Sequence, residues 1–258
     1  MKKSLTEISV HPLTTIYIAL SLILGRFSFV FGLFLLDIIH ELFHAFGAYI
    51  LGLKVEKISV LPIGCYAKIG DLEYASRKKQ LIILLLGPLS FFFTSALIKY
   101  AYFKNLISIY GFENFNTINL FIMLFNLLPV SPLDGGKITK IILSSFFNEK
   151  LSILISSLIG LIFGTIFVIK CLNIGQYVFA LFICFYAIKN LIYQRREYFA
   201  FLLKRLIKKD FKEYKIRLNN HPVIYRFNNN YYQNGNMLIG ESKIISQLLY
   251  KQKKNHLN

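Results

Sequence analysis

Apolar residues in this chain do not alternate with polar ones over most of its length. They collect into runs of a size that bears on membrane crossing, which takes about 20 helical residues. Six such stretches are predicted: residues 13–24, 27–53, 81–102, 118–130, 151–169 and 174–193. The first and fourth are shorter than an ideal span. Between the second and third the pattern changes. Val55, Lys57, Ser59 and Leu61 alternate with Glu56, Ile58, Val60 and Pro62, and Ile63-Gly64 follows. β-branched residues ahead of Pro and Gly predict short strands around a turn. Non-helical backbone so near a bilayer needs protein or a water-filled cavity around it. Such a hairpin would either offer its edge to an extended substrate segment or be an ordinary cytoplasmic hairpin; the pattern does not separate the two.

After Tyr193 the periodicity becomes amphipathic and basic. Residues 195–215 predict a linker helix lying along the membrane. Residues 221–258 then predict a hairpin turning at Asn234-Gly235, followed by a helix over 241–250. That tail is too short to promise a core of its own. The expected organisation is therefore a six-helix transmembrane domain over 1–193, a basic linker helix over 194–220 and a small cytoplasmic α+β extension over 221–258. The fold class is all-α polytopic membrane protein with a small membrane-associated β-hairpin.

Composition strengthens this picture. The 258 residues are 55% hydrophobic, with a mean hydropathy of +0.52, more apolar than soluble domains usually run. The formal net charge of +17 raises the question of nucleic acid. The basic residues, however, sit between the apolar stretches and in the C-terminal quarter, as juxtamembrane Lys and Arg facing an anionic leaflet do. No nucleic-acid partner is expected. With both termini cytoplasmic, the inner segments hold Arg77, Lys78, Lys79, Lys137, Lys140, Arg195 and Arg196, and the outer loops are poor in basic residues. An even number of spans then obeys the positive-inside rule. The N-terminal run lacks a small-residue cleavage signal and reads as an uncleaved first span. Cys65, Cys171 and Cys184 form no C-x-x-C pair and read as small apolar residues of the bundle.

The second stretch carries the candidate chemistry. Asp37, His40, Glu41 and His44 lie in one otherwise apolar helix. Residues four apart share a helix face, so His40 and His44 can present two imidazoles to one metal ion. Glu41 then lies beside the ion, where a carboxylate can act as general base. Zn²⁺ suits this donor type. A charged group in mid-span costs roughly 2.5–3.5 kcal/mol on insertion scales, so several on one helix need a reason. Asp37 has three readings: orienting an imidazole, lining a water path, or packing against another polar group. A third metal ligand is sought after the fourth stretch, in Asn126-Leu-Leu-Pro-Val-Ser-Pro-Leu-Asp134-Gly-Gly. Pro129 and Pro132 break the helix there and Gly135-Gly136 allows a sharp turn after Asp134. Spacing alone does not bring Asp134 to the histidines, and a plain Asp-Gly turn is the alternative.

Together, His40-Glu41-x-x-His44 in a membrane stretch and the downstream Pro132-Leu-Asp134-Gly-Gly resemble the site-2 protease family of intramembrane zinc metalloproteases, in span order over residues 13–193. The resemblance implies one zinc ion held by His40, His44 and Asp134, with Glu41 as general base. Gly87-Pro88 resembles a recurrent feature of the family, and Asn126 falls in its Asn-x-x-Pro stretch; Asn126 and Pro132 are candidate supporting residues. Phe43 stands where the family often has Gly, and Ser131-Pro-Leu-Asp134 where many members have Asn-Pro-Asp; neither change removes a ligand. Residues 103–117 leave no room for an inserted PDZ domain. The arrangement is similar to the sporulation branch of the family, which removes the pro-sequence of a sigma factor. It implies a membrane-associated pro-sigma substrate, inhibitory membrane partners, and placement in the mother-cell-derived membrane around the forespore. Alternative substrates are a membrane-bound anti-sigma or transcription factor. A membrane metal transporter is the competing class. Met237-Leu-Ile-Gly240-Glu241 weakly resembles one CBS repeat, which would imply ATP binding by the extension. Oligomeric state is left open between a single chain and a homo-oligomer.

Overall fold

The computed structural model describes residues 7–61, 64–173, 177–207, 215–235 and 237–254. Pro62 and Ile63 of the expected hairpin, the first residues (174–176) of the sixth stretch, and residues 208–214 of the expected linker lie outside the described residues. The chain forms two compact units, residues 1–127 and 128–258.

In the first unit the elements run β1 (Glu7–Val10), α1 (Pro12–Ile23), α2 (Phe27–Ile50), β2 (Val55–Leu61), β3 (Gly64–Ile69), α3 (Arg77–Phe103) and α4 (Ile109–Asn126). Pro12 opens α1 where a missing N–H is harmless, and the His11 side chain accepts the Leu13 N–H at 3.2 Å. α2 packs against α3, α4 and β3. Leu33 and Leu36 of α2, Ile98 of α3, and Ile118 and Ile122 of α4 form a buried cluster. The expected hairpin is present as β2 and β3, antiparallel, with Ile58 opposite Ala67 and Val60 opposite Cys65. The N-terminal segment, expected only as a cytoplasmic lead-in, adds β1 parallel to β2 to make a three-stranded sheet in the order β1-β2-β3.

The second unit contains α5 (Asp134–Phe146), α6 (Glu149–Asn173), α7 (Tyr177–Ile207), β4 (Lys215–Asn219), β5 (Asn228–Asn234), β6 (Met237–Gly240) and α8 (Glu241–Lys254). α7 runs past Tyr193, so residues 195–207 of the expected linker continue that helix, whereas residues 215–219, expected as the end of the linker, pair as the strand β4. β5 and β6 turn at Asn234-Gly235, where Gly235 has φ +58, as an Asn-Gly hairpin requires. β4 lies parallel to β5. Ile153 of α6, Tyr198 and Leu202 of α7, Ile224, and Ile244 and Ile245 of α8 form one buried cluster. The tail is thus packed on helices of its own unit.

Among the described residues, three helices are long and apolar enough to cross a membrane: Phe27–Ile50, Arg77–Phe103 and Glu149–Leu172. α1, with 12 residues, falls short of a span. The fourth stretch belongs to a helix that starts earlier than expected, at Ile109, where Ser108 accepts the Gly111 N–H. It also ends earlier, at Asn126, ahead of Pro129. The six-span expectation is therefore met in part. On α6, Leu154, Leu158, Ile162 and Ile166 form an exposed ridge at four-residue spacing. On α3, Leu85, Leu89, Phe92 and Phe93 are exposed likewise. Large uncovered apolar surfaces of this kind are unfavourable in water and suit lipid. This is a membrane protein.

Candidate metal centre

α2 brings His40, Glu41 and His44 together because two of them stand four residues apart on one helix. All three are buried, and one ligand atom from each falls within 4.8 Å of the others. The two Nε2 atoms are 3.2 Å apart, with the rings nearly perpendicular. Two nitrogens bound to one tetrahedral zinc at about 2.0–2.1 Å would be separated by about 3.3 Å. The pair fits that ion.

The tautomer follows from α3. His44 Nδ1 lies 2.7 Å from the Ile83 carbonyl, which can only accept, so Nδ1 carries the proton and Nε2 presents its lone pair. Gly87 of α3 explains how the helices come this close. A Cβ there would sit 2.2 Å from His44 Nε2 and 2.8 Å from His40 Nε2. Pro88 follows inside the same helix. Gly87-Pro88, singled out in the sequence, is thus the wall of the histidine pair. Ile83 gave no sequence signal, because its backbone carbonyl does the work.

β3 meets the acidic side of α2. The Ala67 N–H donates to Glu41 Oε2 at 2.5 Å, and the Cys65 N–H donates to Asp37 Oδ2. Asp37 was expected to orient an imidazole, line a water path or pack against a polar group. The structure gives it a backbone amide of the sheet. Cys65 is not a bundle residue but a half-buried strand residue, and burial, then the charges of Asp37 and Glu41, push its thiol above the ordinary range.

Asp134 belongs to the second unit and is described there by itself. It is buried and is the first residue of α5 rather than part of a turn. A helix N-terminus favours a carboxylate, and Lys137 Nζ lies 3.1 Å from its Oδ1. The glycine after next serves packing: a Cβ on Gly136 would lie 2.3 Å from the Ser131 nitrogen. Asn126 closes α4, its amide donating to the Ile122 carbonyl at 3.1 Å. Pro132 follows Ser131 through a cis bond.

Residues 28–109 and 100–169 match Peptidase family M50. Together they cover more than half of the chain. The chain belongs to peptidase family M50. Among relatives, it is 29% identical over 214 residues to Stage IV sporulation protein FB of Bacillus subtilis, covering 79% of this chain and 73% of that protein. It is 36% identical over 132 residues to a zinc metalloprotease of Methanocaldococcus jannaschii, covering 50% of this chain and 38% of that protein. The solved site-2 protease from Methanocaldococcus jannaschii has a similar structure, with a TM-score of 0.54 and 27% identity, covering 72% of this chain and 92% of that one. The M50 assignment makes this a metalloprotease of the zinc-dependent, site-2 kind, and the histidine pair supplies the donors such a family needs.

Proposed function

We propose that this M50 peptidase hydrolyses a peptide bond of a membrane-associated protein substrate within or at the edge of the bilayer. The observation that carries the reading is the 3.2 Å Nε2 pair of His40 and His44, with Glu41 beside it, on a helix apolar enough to span a membrane. His40 and His44 would hold zinc, with Asp134 as third ligand by the family resemblance. Bound zinc supplies Lewis-acid polarisation of the scissile carbonyl and eases deprotonation of the attacking water. Glu41 receives the water proton and returns it to the leaving amine. The Ala67 amide fixes Oε2 and so the plane of that carboxylate. The Ile83 carbonyl keeps the His44 proton on Nδ1 and away from the metal side.

The likeness to Stage IV sporulation protein FB supports a pro-sigma factor as substrate. The proposal extends, by the family resemblance alone, to inhibitory membrane partners and a place in the membrane around the forespore. The distribution of Lys and Arg supports six spans with both termini cytoplasmic. The test is co-expression with a candidate pro-sigma factor, comparing the wild-type chain with Glu41→Gln. Shortening by wild type alone is expected. Equal cutting by both would remove the base role, and no cutting by wild type, with zinc bound, would remove the substrate.

A further inference from the structure

Asp37 and Glu41 stand four residues apart on α2, and their amide partners Cys65 and Ala67 stand two apart on β3. Four helical residues advance about 6 Å and two strand residues about 6.7 Å. The helix therefore presents two carboxylates at nearly the spacing at which the strand presents two outward N–H groups. Both amides are turned to α2, so Cys65 and Ala67 present the edge of β3 that faces the helix.

Gly64 makes the first of these bonds possible. It has φ +150, a conformation that L side chains rarely adopt. A Cβ there would also lie 2.9 Å from Asp37 Oδ2. The backbone just ahead of Cys65 is thus shaped around the Asp37 carboxylate.

From this juxtaposition we infer that Asp37 is a positioning residue for Glu41. By accepting the Cys65 amide it sets the register of β3 along α2, and this register delivers the Ala67 amide to Glu41 Oε2. Asp37 acts as a hydrogen-bond acceptor in this role and needs no charge. It acts through the strand and not through the histidines. The inference rests on the reading of Glu41 as the base, but its measurement needs neither cleavage nor substrate.

The experiment is residue-resolved hydrogen–deuterium exchange on the full chain in detergent, for wild type, Asp37→Asn, Asp37→Leu and Gly64→Ala. Zinc affinity is measured alongside, with the metal alone. Asp37→Asn retains an acceptor and is expected to keep Cys65 and Ala67 protected. Asp37→Leu is expected to speed exchange at both amides by about tenfold or more. Gly64→Ala, which displaces the carboxylate without altering α2, is expected to do the same. Zinc affinity is expected to stay within about threefold of wild type in all three. Faster exchange at Cys65 with Ala67 still protected, in either Asp37→Leu or Gly64→Ala, would overturn the coupling. Loss of protection in Asp37→Asn would show that charge is required, and a fall in zinc affinity of about tenfold or more would place Asp37 behind an imidazole; either result overturns the inference. A chain that shows linked protection but does not shorten the candidate pro-sigma factor would remove that substrate and leave the positional link standing.

Discussion

At the scale of single residues, the site depends on what is absent at Gly87 as much as on what is present at His40 and His44. The smallest side chain there would enter the space of both Nε2 atoms. Gly87→Ala is expected to weaken zinc binding by about 100-fold or more, comparable with or beyond the loss of an outer-shell partner. Competition with a chelator of known affinity checks this, and unchanged affinity would mean that α3 can move away from α2. The residue types of the histidine pair were legible in the sequence because a helix makes neighbours of residues four apart. Their partners were not. Ile83 lies 39 positions from His44 and Cys65 lies 28 from Asp37, and in each case the bonded group is backbone, which every residue has.

At the scale of elements, α3 and α4 are joined by a buried polar contact inside an apolar surface. Thr94 Oγ1 donates to Asn119 Oδ1 at 2.7 Å, and the Asn119 amide donates to the Phe91 carbonyl at 3.2 Å and to Ser95 Oγ at 2.9 Å. Polar contacts between membrane helices contribute about 0.6 kcal/mol on average and up to about 1.7. With three bonds at stake, Asn119→Ala is expected to cost about 1–2 kcal/mol, read from unfolding in mixed detergent. A shift near zero would show that Thr94 and Ser95 find equal partners on their own helix. The strands show a different limit of pattern reading. β2 and β3 were legible from β-branched alternation, whereas β1 was not, since its pairing with β2 joins segments about 50 positions apart.

At the scale of the whole molecule, each unit has its own stabilising centre. In the second unit it is ionic. Glu149, at the start of α6, is fully buried and accepts from Arg226 Nε at 2.9 Å and from its Nη2 at 2.5 Å. Ser144 of α5 adds a third bond at 3.0 Å, and the Glu149 N–H donates to the Ile224 carbonyl at 2.9 Å. Arg205 of α7 holds Glu241 and the carbonyls of Arg226 and Asn228. Removing Arg226 leaves the buried Glu149 facing the more distant Lys140, whose Nζ is 3.8 Å away, so Arg226→Met is expected to destabilise this unit by about 3 kcal/mol, the lower end for breaking a buried pair. The double variant Glu149→Leu with Arg226→Met is expected to recover most of that loss, because no charge is left unpaired. Thermal unfolding of the single and double variants decides this; additive losses would mean that the pair is not coupled.

The sequence by itself determined that the chain enters a membrane, that one apolar helix carries a histidine pair at metal-ligand spacing with an adjacent carboxylate, and that a hairpin follows it. These features are local: they follow from spacing along one helix or strand and from the cost of charge in lipid. The tertiary structure decided what surrounds them. It placed Gly87 and the Ile83 carbonyl against the imidazoles, gave Asp37 and Glu41 the amides of β3, and put Asp134 at the head of a helix instead of in a turn. It also buried Glu149 with Arg226, 77 positions away. Contacts of this kind depend on close packing between distant segments and on backbone groups that all residues share, and neither leaves a period in the sequence.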